Sequence, residues 1–370
     1  MSTRKLYKIY AKIKVRRSRK DVAEKLRDQL DILRHNNWPL EIYEKRHEIE
    51  QLDPHKPREQ TDEKTYTAYQ AFKEALISYY AGIAINAIYK KVEGETCYLD
   101  ATAGIGILPL HVNNKLYPIF GSAIIPLITP TIGEQKFRRN PKPFKYVILA
   151  EKNSGRRKLL RKVVQDVRQR LEELELPTPD VQYFDDINAE RDRITKLLTE
   201  RCGYVLAVVD PTGAEIKWGT VKAILELRQQ SVIVDVMFNF MCAALRRQKK
   251  KACDETPSHA FDGFFGGNHW RQCCQEGDNF GECLHDAYVQ NIVNAGYAVY
   301  PTSIWRNQLW HYHFDLILKE RDAPHPWVQS YEELSNWLSK IDETDLVNII
   351  TGRLITEFTN DKSRPLTDFM

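Results

Sequence analysis

From about residue 62 to 91, Tyr69, Phe72, Leu76, Tyr79, Tyr80, Ile83 and Ile88 recur at three- and four-residue steps. That period predicts one long helix, with Gly82 as its weak point. Beyond it the texture changes: short apolar runs at 97–100, 146–151, 181–184, 204–210 and 231–238 end in acidic or small residues. Amphipathic stretches at 155–175, 189–200 and 217–229 lie between them. Strands spaced by helices predict a parallel sheet covered on both faces. Two further extended segments, 298–300 and 311–319, joined by a loop of about ten residues, predict an antiparallel addition at the sheet edge. A helical C-terminal segment follows from Tyr331. The expected fold class is therefore α/β: a doubly wound, mostly parallel, seven-stranded sheet.

The first twenty residues carry nine Lys or Arg and no acid. Within them Ile9, Ala11, Ile13 and Val15 alternate with Lys8, Tyr10, Lys12 and Lys14, the pattern of a strand with one basic face. Asp21 then opens a helical pattern through Val22, Leu26, Leu30 and Leu33 that ends near 35–37, and the polar stretch 44–64, with Pro54 and Pro57, reads as a linker. The expected organisation is a small basic strand/helix module over 1–60, a main α/β domain over 61–325 with a lid or substrate segment at about 241–290, and a helical segment over 326–370.

Composition narrows the class. The 370 residues are 42% hydrophobic and 28% charged, with 54 basic against 50 acidic side chains and a formal net charge of +4. That is ordinary for a globular protein, and no run approaches the roughly 18 uninterrupted apolar residues of a membrane span. The basic N-terminus lacks an apolar core, so no secretory signal is expected. Seven cysteines, an odd number, argue against a disulfide framework and for a reducing, cytoplasmic setting.

Candidate chemistry concentrates at the strand ends. In 98–106, YLDATAGIG, a strand delivers Asp100 and is followed by Ala101, Thr102, Ala103, Gly104 and Gly106. Small residues there let the backbone pass close to a ligand, at the first crossover of a doubly wound sheet where nucleotides bind. The second strand ends in Glu151, where a carboxylate can accept both ribose hydroxyls. The insert 107–144 holds Pro109, Pro118, Pro126 and Pro130, so the helix is expected to restart near Gly121 with Ser122 as its N-cap and Pro126 in the first turn. After the third strand, Asp185-Asp186-Ile187-Asn188 offers a carboxylate for an adenine amino group, or alternatively a cap for the next helix. After the fourth, Asp210-Pro211-Thr212-Gly213 leaves Asp210 at the lip of the sheet, with Pro211 fixing the turn; a carboxylate there can orient an amine. Asp100, Glu151, Asp186 and Asp210, in order at four strand ends, have the layout of an S-adenosylmethionine-dependent methyltransferase.

The same residues resemble the three-Cys-motif partner protein (TcmP) family. Asp100–Gly106 resembles its D-x-x-A-G-x-G turn, Gly121-Ser122-Ala123 its Gly-Ser-Pro element, and Asp186-Ile187-Asn188 its Asp-x-Asn. Asp210-Pro211-Thr212-Gly213 resembles its D-P-aromatic-G, while Phe238-Asn239-Phe240 and Phe265–Trp270 are also similar. The likeness covers about 60–320. Two departures stand out: Ala123 replaces the proline and Thr212 the aromatic. The resemblance implies a Rossmann-like class I methyltransferase fold, an S-adenosyl-L-methionine site, and a radical-enzyme-like three-Cys protein as partner.

Cys253, Cys273, Cys274 and Cys283 crowd near His259, His269 and His285, but without paired Cys-x2-Cys spacing, and no metal is expected. Basic clusters at Arg16, Arg17, Arg19 and Lys20, and at Arg246, Arg247, Lys249 and Lys250, suit phosphate contacts, although solvated helix faces read the same way. Two further clusters lie at 138–145 and 156–158. Tyr7, Tyr10, Trp305 and Trp310 are candidates for base stacking or for core packing. The expected function is methyl transfer to a nitrogen of a nucleic acid, with Asp210 and Pro211 at the acceptor. The competing expectation is a binding subunit that keeps the fold without turnover.

Overall fold

A computed structural model describes residues 19–45, 66–89, 91–92, 94–112, 115–136, 139–254, 258–307, 310–319 and 326–338. The expected N-terminal strand with Arg16 and Arg17, the linker over most of 44–64, and the chain beyond 338 lie outside the described residues.

The sheet has seven strands: β1 (Glu95–Asp100), β4 (Tyr146–Ala150), β5 (Asp180–Phe184), β6 (Cys202–Val209), β7 (Ile233–Phe240), β8 (Tyr297–Asn307) and β9 (Trp310–Lys319). Their order is β5-β4-β1-β6-β7-β9-β8, parallel except for β9, which runs antiparallel to both neighbours. This is the doubly wound, mostly parallel seven-stranded sheet that the strand pattern predicts. The order reverses between β1 and β6, which places a cleft at the carboxyl ends of those strands. β6 is buried along its whole length because both faces are covered.

Helices α1 (Arg19–Leu33), α2 (Trp38–Lys45) and α3 (Tyr66–Ile88) cover one face. Leu26, Leu30, Leu33 and Ile42 share a single core with Phe72, Leu76, Tyr98 and Leu206. Gly82, the weak point of the pattern, does not break α3, which runs through it. A Cβ on Gly82 would lie 3.5 Å from Thr129 Cγ2, so the glycine sets a close helix contact.

The proline-rich insert is the main departure from expectation. It forms an antiparallel ribbon, β2 (Ile107–Val112) and β3 (Lys115–Phe120), in which Pro109 faces Pro118, so both missing donors fall on one rung. Ser122 is not an N-cap: the helical turn α4 (Ile125–Ile128) starts after Ile124 with no side-chain cap, although Pro126 does sit in its first turn. The Ser122 carbonyl instead accepts from the Tyr98 hydroxyl at 2.9 Å.

α5 (Ser154–Glu173) completes the first face, capped by Asn153, whose side chain accepts from Arg156 N–H at 3.0 Å. The second face carries α6 (Arg191–Arg201), α7 (Trp218–Glu226), α8 (Cys242–Arg247), α9 (Lys249–Asp254), α10 (His259–Phe265) and α11 (Phe280–Asn294). Instead of being set apart by ten residues, β8 and β9 pair as far as Asn307 and Trp310, because both strands extend further than their apolar runs. α12 (Pro326–Leu338) packs back on β8 and α3. No helix among the described residues is long and apolar enough to cross a membrane.

Six of the seven cysteines form disulfides: Cys97–Cys202, Cys253–Cys274 and Cys273–Cys283, leaving Cys242 free and buried. This corrects the expectation of unpaired thiols, and the inference from it to a reducing compartment falls away. The cysteine spacing could not reveal the pairs because Cys97 and Cys202 are 105 residues apart and meet only through the β1–β6 pairing.

Candidate functional site

A cleft of about 800 Å³ opens at the carboxyl ends of the central strands. Thr102, Gly104, Gly106, Glu151, Asp186 and Asp210 all line it, with Pro211 beside them. Asp100 lies immediately beneath, fully buried. Three of the four strand-end carboxylates, Glu151, Asp186 and Asp210, therefore line one cleft, while Asp100 is buried behind the Thr102 turn.

Local hydrogen bonds hold the turn after β1. Asp100 Oδ1 accepts from Thr102 N–H at 3.0 Å, and the Thr102 hydroxyl accepts from Asp210 N–H at 3.0 Å, tying the ends of β1 and β6 together. Gly104 and Gly106 adopt φ of +60° and +81°, a region that favours glycine. A Cβ on Gly106 would meet Ile124 and Leu160 at 3.1–3.2 Å, whereas one on Gly104 would meet nothing within 4 Å and would face the open cleft.

Glu151 is nearly buried, and both its oxygens serve the backbone: Oε2 accepts from Gly104 N–H at 3.0 Å and Oε1 from Asn153 N–H at 2.7 Å. The carboxylate thus braces the glycine turn while still lining the cleft. Asp186 accepts from Asn188 N–H at 2.8 Å and pairs with Lys152 at 3.0 Å; the Lys152 contact and the N–H bonds outweigh partial burial and hold its pKa below the usual range. Asn188 is the staple of this corner. It donates to the Glu215 carbonyl at 2.9 Å and accepts from Lys217 N–H and the Thr220 hydroxyl at 2.9 and 2.8 Å. Thr212 donates through its hydroxyl to Glu215 at 2.9 Å, so the position where the TcmP pattern has an aromatic side chain is tied down within its own loop.

The inner end of the cleft holds groups that motif reading did not single out. Lys73 and Glu74 reach it from α3, joined by Asn239 and Tyr312. Lys73 pairs with Asp210 Oδ2, and Asn239 donates to Oδ1 of the same carboxylate. Burial alone would lower the Lys73 pKa, but the Asp210 and Glu74 charges raise it. Glu74 is 2% exposed; burial pushes it up to about 8 against the pull of Lys73. Burial likewise lifts Asp100 to about 7, opposed by the Ser122 hydroxyl and the Thr102 N–H. Glu74 Oε2 and Asp100 Oδ2 are buried and make no hydrogen bond. Three carboxylates thus face one ammonium, and two acceptor oxygens remain unspent. A signal for this end was available: Lys73 and Glu74 are the only charged residues in the 23-residue helix α3.

The basic residues are less closely tied to the cleft. Arg19 and Lys20 begin α1. Arg246 and Arg247 end α8 and Lys249 and Lys250 begin α9; none of the four lines the cleft. Gln248, between them, approaches the Gly213 loop, since a Cβ on Gly213 would lie 3.1 Å from its Nε2. Lys249 lies 5.1 Å from the centre of the Phe280 ring.

No family model and no curated protein matches the chain. Among solved structures it is similar to the Legionella pneumophila protein LPL1258, at 11% identity and TM-score 0.39, over 72% of this chain and 93% of that one. It is similar to magnesium protoporphyrin IX methyltransferase from Synechocystis with bound S-adenosylmethionine, at 8% identity and TM-score 0.34, over 83% and 100%. It is also similar to Trm1 from Pyrococcus horikoshii in complex with S-adenosyl-L-methionine, at 12% identity and TM-score 0.30, over 66% and 55%. At this level of likeness the neighbours carry no argument, and the fold rests on the strand order itself.

Proposed function

We propose that the chain binds S-adenosyl-L-methionine in this cleft and methylates a nitrogen of a nucleic-acid substrate. The observation that carries the reading is the acidic inner end beside the glycine turn, where Glu74 Oε2 and Asp100 Oδ2 are buried without partners. A buried acceptor oxygen left without a donor is costly, and a cationic ligand that donates to it removes that cost. S-adenosylmethionine is such a ligand, carrying an ammonium and a sulfonium that supplies an electrophilic methyl group.

In this reading Asp100 and Glu74 face the cationic end, Thr102, Gly104 and Gly106 leave room for the backbone approach, and Glu151 serves the ribose while bracing the turn. Asp186 takes the adenine amino group, with Ile187 against the ring. Asp210 is held by Lys73 and Asn239, and a lone pair remains on each of its oxygens to orient the acceptor amine; Pro211 keeps the loop open. Positioning is the main task of these residues, because a sulfonium methyl needs little acid–base help. Arg246, Arg247, Lys249 and Lys250, adjoining the Gly213 loop, suit phosphate contacts near the acceptor, and the TcmP resemblance adds a three-Cys protein as a candidate partner.

Calorimetry tests the site. Glu151→Ala should lose cofactor affinity at least tenfold, and unchanged affinity would overturn the assignment. Labelled methyl transfer to total nucleic acid tests turnover, and Asp210→Asn should abolish it. The bonding of Thr212 within its own loop favours a second reading, a methyltransferase-fold binding subunit without turnover. Retained cofactor binding with no label transfer identifies that case.

A further inference from the structure

On the face of the sheet away from α3, five metal-ligating side chains converge where β7, β9, α8 and α11 meet. The spacing of each pair explains the convergence. Glu282 and His285 are three apart on α11 and share one helix face, while His313 and Asp315 are two apart on β9 and share one strand face. β9 sends Phe314 and Leu316 into the core on the α3 side and Ile317 into the opposite core, so His313 and Asp315 point away from the cleft's inner end. β9 pairs His313 with Phe240 and Asp315 with Phe238, and Cys242 follows two residues after that strand.

We propose that this cluster binds one divalent transition-metal ion of the zinc type, ligated by His285, His313 and Asp315, with Glu282 on the open side and Cys242 buried near Glu282 and His313. Donor atoms of His285, His313 and Asp315 lie within 4.8 Å of one another, as do those of Cys242, Glu282 and His313. His313 is the member common to both sets. Zinc donors held at bond lengths of about 2.0–2.3 Å sit roughly 3.3–3.8 Å apart, so donors that now share a hydrogen bond must part slightly as the ion enters. Imidazole, carboxylate and thiolate are the donors that zinc and its first-row neighbours take.

The present contacts are those of ligands sharing protons where a cation would sit. His285 Nε2 lies 2.8 Å from Asp315 Oδ2, and His313 Nε2 lies 3.1 and 3.2 Å from the two Glu282 oxygens. The two imidazoles stack with centroids 3.8 Å apart and planes 7° from parallel, so one ring must turn for both to ligate one ion. A plain hydrogen-bonded network would account for these pairs. It would not account for Asp315 Oδ1, which is fully buried and makes no hydrogen bond, beside the one cysteine kept out of the disulfides. Glu282 is 44% exposed, which provides an entry path.

Cobalt(II) is the probe, added to the full-length chain after chelator treatment, without reductant so that the disulfides persist. One equivalent should bind with visible d–d absorption and raise the melting temperature. His313→Ala and Asp315→Asn should lose both effects, and Glu282→Gln, at the rim, should weaken binding by about tenfold or more. Substoichiometric cobalt in the wild type, or an unchanged cobalt spectrum in His313→Ala, overturns the site. Should Asp315→Asn fail to fold, the His313 and Glu282 variants decide, with circular dichroism confirming their folds. Because the cluster lies across the sheet from Lys73 and Glu74, cobalt binding and S-adenosylmethionine binding succeed or fail separately.

Discussion

Lys73 on α3 and Asp210 at the end of β6, 137 residues apart, form an ion pair at the inner end of the cleft. The pairing makes the helix that precedes the sheet part of the site. It also means that Asp210 is a held carboxylate, with Asn239 on its other oxygen.

Removing one partner of a pair this buried leaves an uncompensated charge. Lys73→Met should therefore cost about 3–5 kcal/mol in urea unfolding. The double variant Lys73→Met/Asp210→Asn should recover much of that loss, because it removes both charges. A double variant no more stable than Lys73→Met would show that the pair is not what the lysine contributes.

Glu74 and Asp100 titrate high, at about 8 and about 7 against ordinary values of 4.5 and 3.8. The folded chain therefore holds protons that the unfolded chain has already released, and stability contributed by these groups falls as pH rises from about 4 to about 8. Glu74→Gln should flatten that decline in denaturant midpoints measured across the range. A cationic ligand favours the ionised forms, so S-adenosylmethionine affinity should rise over the same interval with proton release, read by calorimetry in buffers of different ionisation enthalpy.

The two glycines of the turn should respond differently. Gly106→Ala combines positive φ with contacts at 3.1–3.2 Å to Ile124 and Leu160, and should destabilise by about 2–4 kcal/mol. Gly104→Ala carries only the backbone penalty of about 1–2 kcal/mol, and its methyl group enters the cleft. Melting should separate the two variants, with Gly104→Ala losing more cofactor affinity than stability.

Asn188 joins two loops through three hydrogen bonds. Asn188→Ala should cost about 1–3 kcal/mol, leaving the Lys217 N–H and the Thr220 hydroxyl without their shared acceptor. Cofactor affinity should fall with it, since Asp186 sits on the released loop.

Thiol counting checks the cysteine pairing. Non-reducing denaturation should expose one reactive thiol, that of Cys242. Because Cys97–Cys202 closes a loop of about a hundred residues, the Cys97→Ala/Cys202→Ala chain should be less stable by roughly 4–5 kcal/mol.

Strands, helices and strand-end acids were legible in the chain because each depends on neighbours a few residues away. Alternation or 3.6-residue spacing marks the element, and small residues mark the turn after Asp100. The Pro109–Pro118 ribbon was not legible, because prolines that argue against a helix do not by themselves announce a paired edge. Only the tertiary structure brought Lys73 to Asp210, Cys97 to Cys202, and His285 to His313. Such contacts depend on which strands become neighbours and on which face each side chain leaves, and that order is a property of the packed sheet that no local stretch of sequence contains.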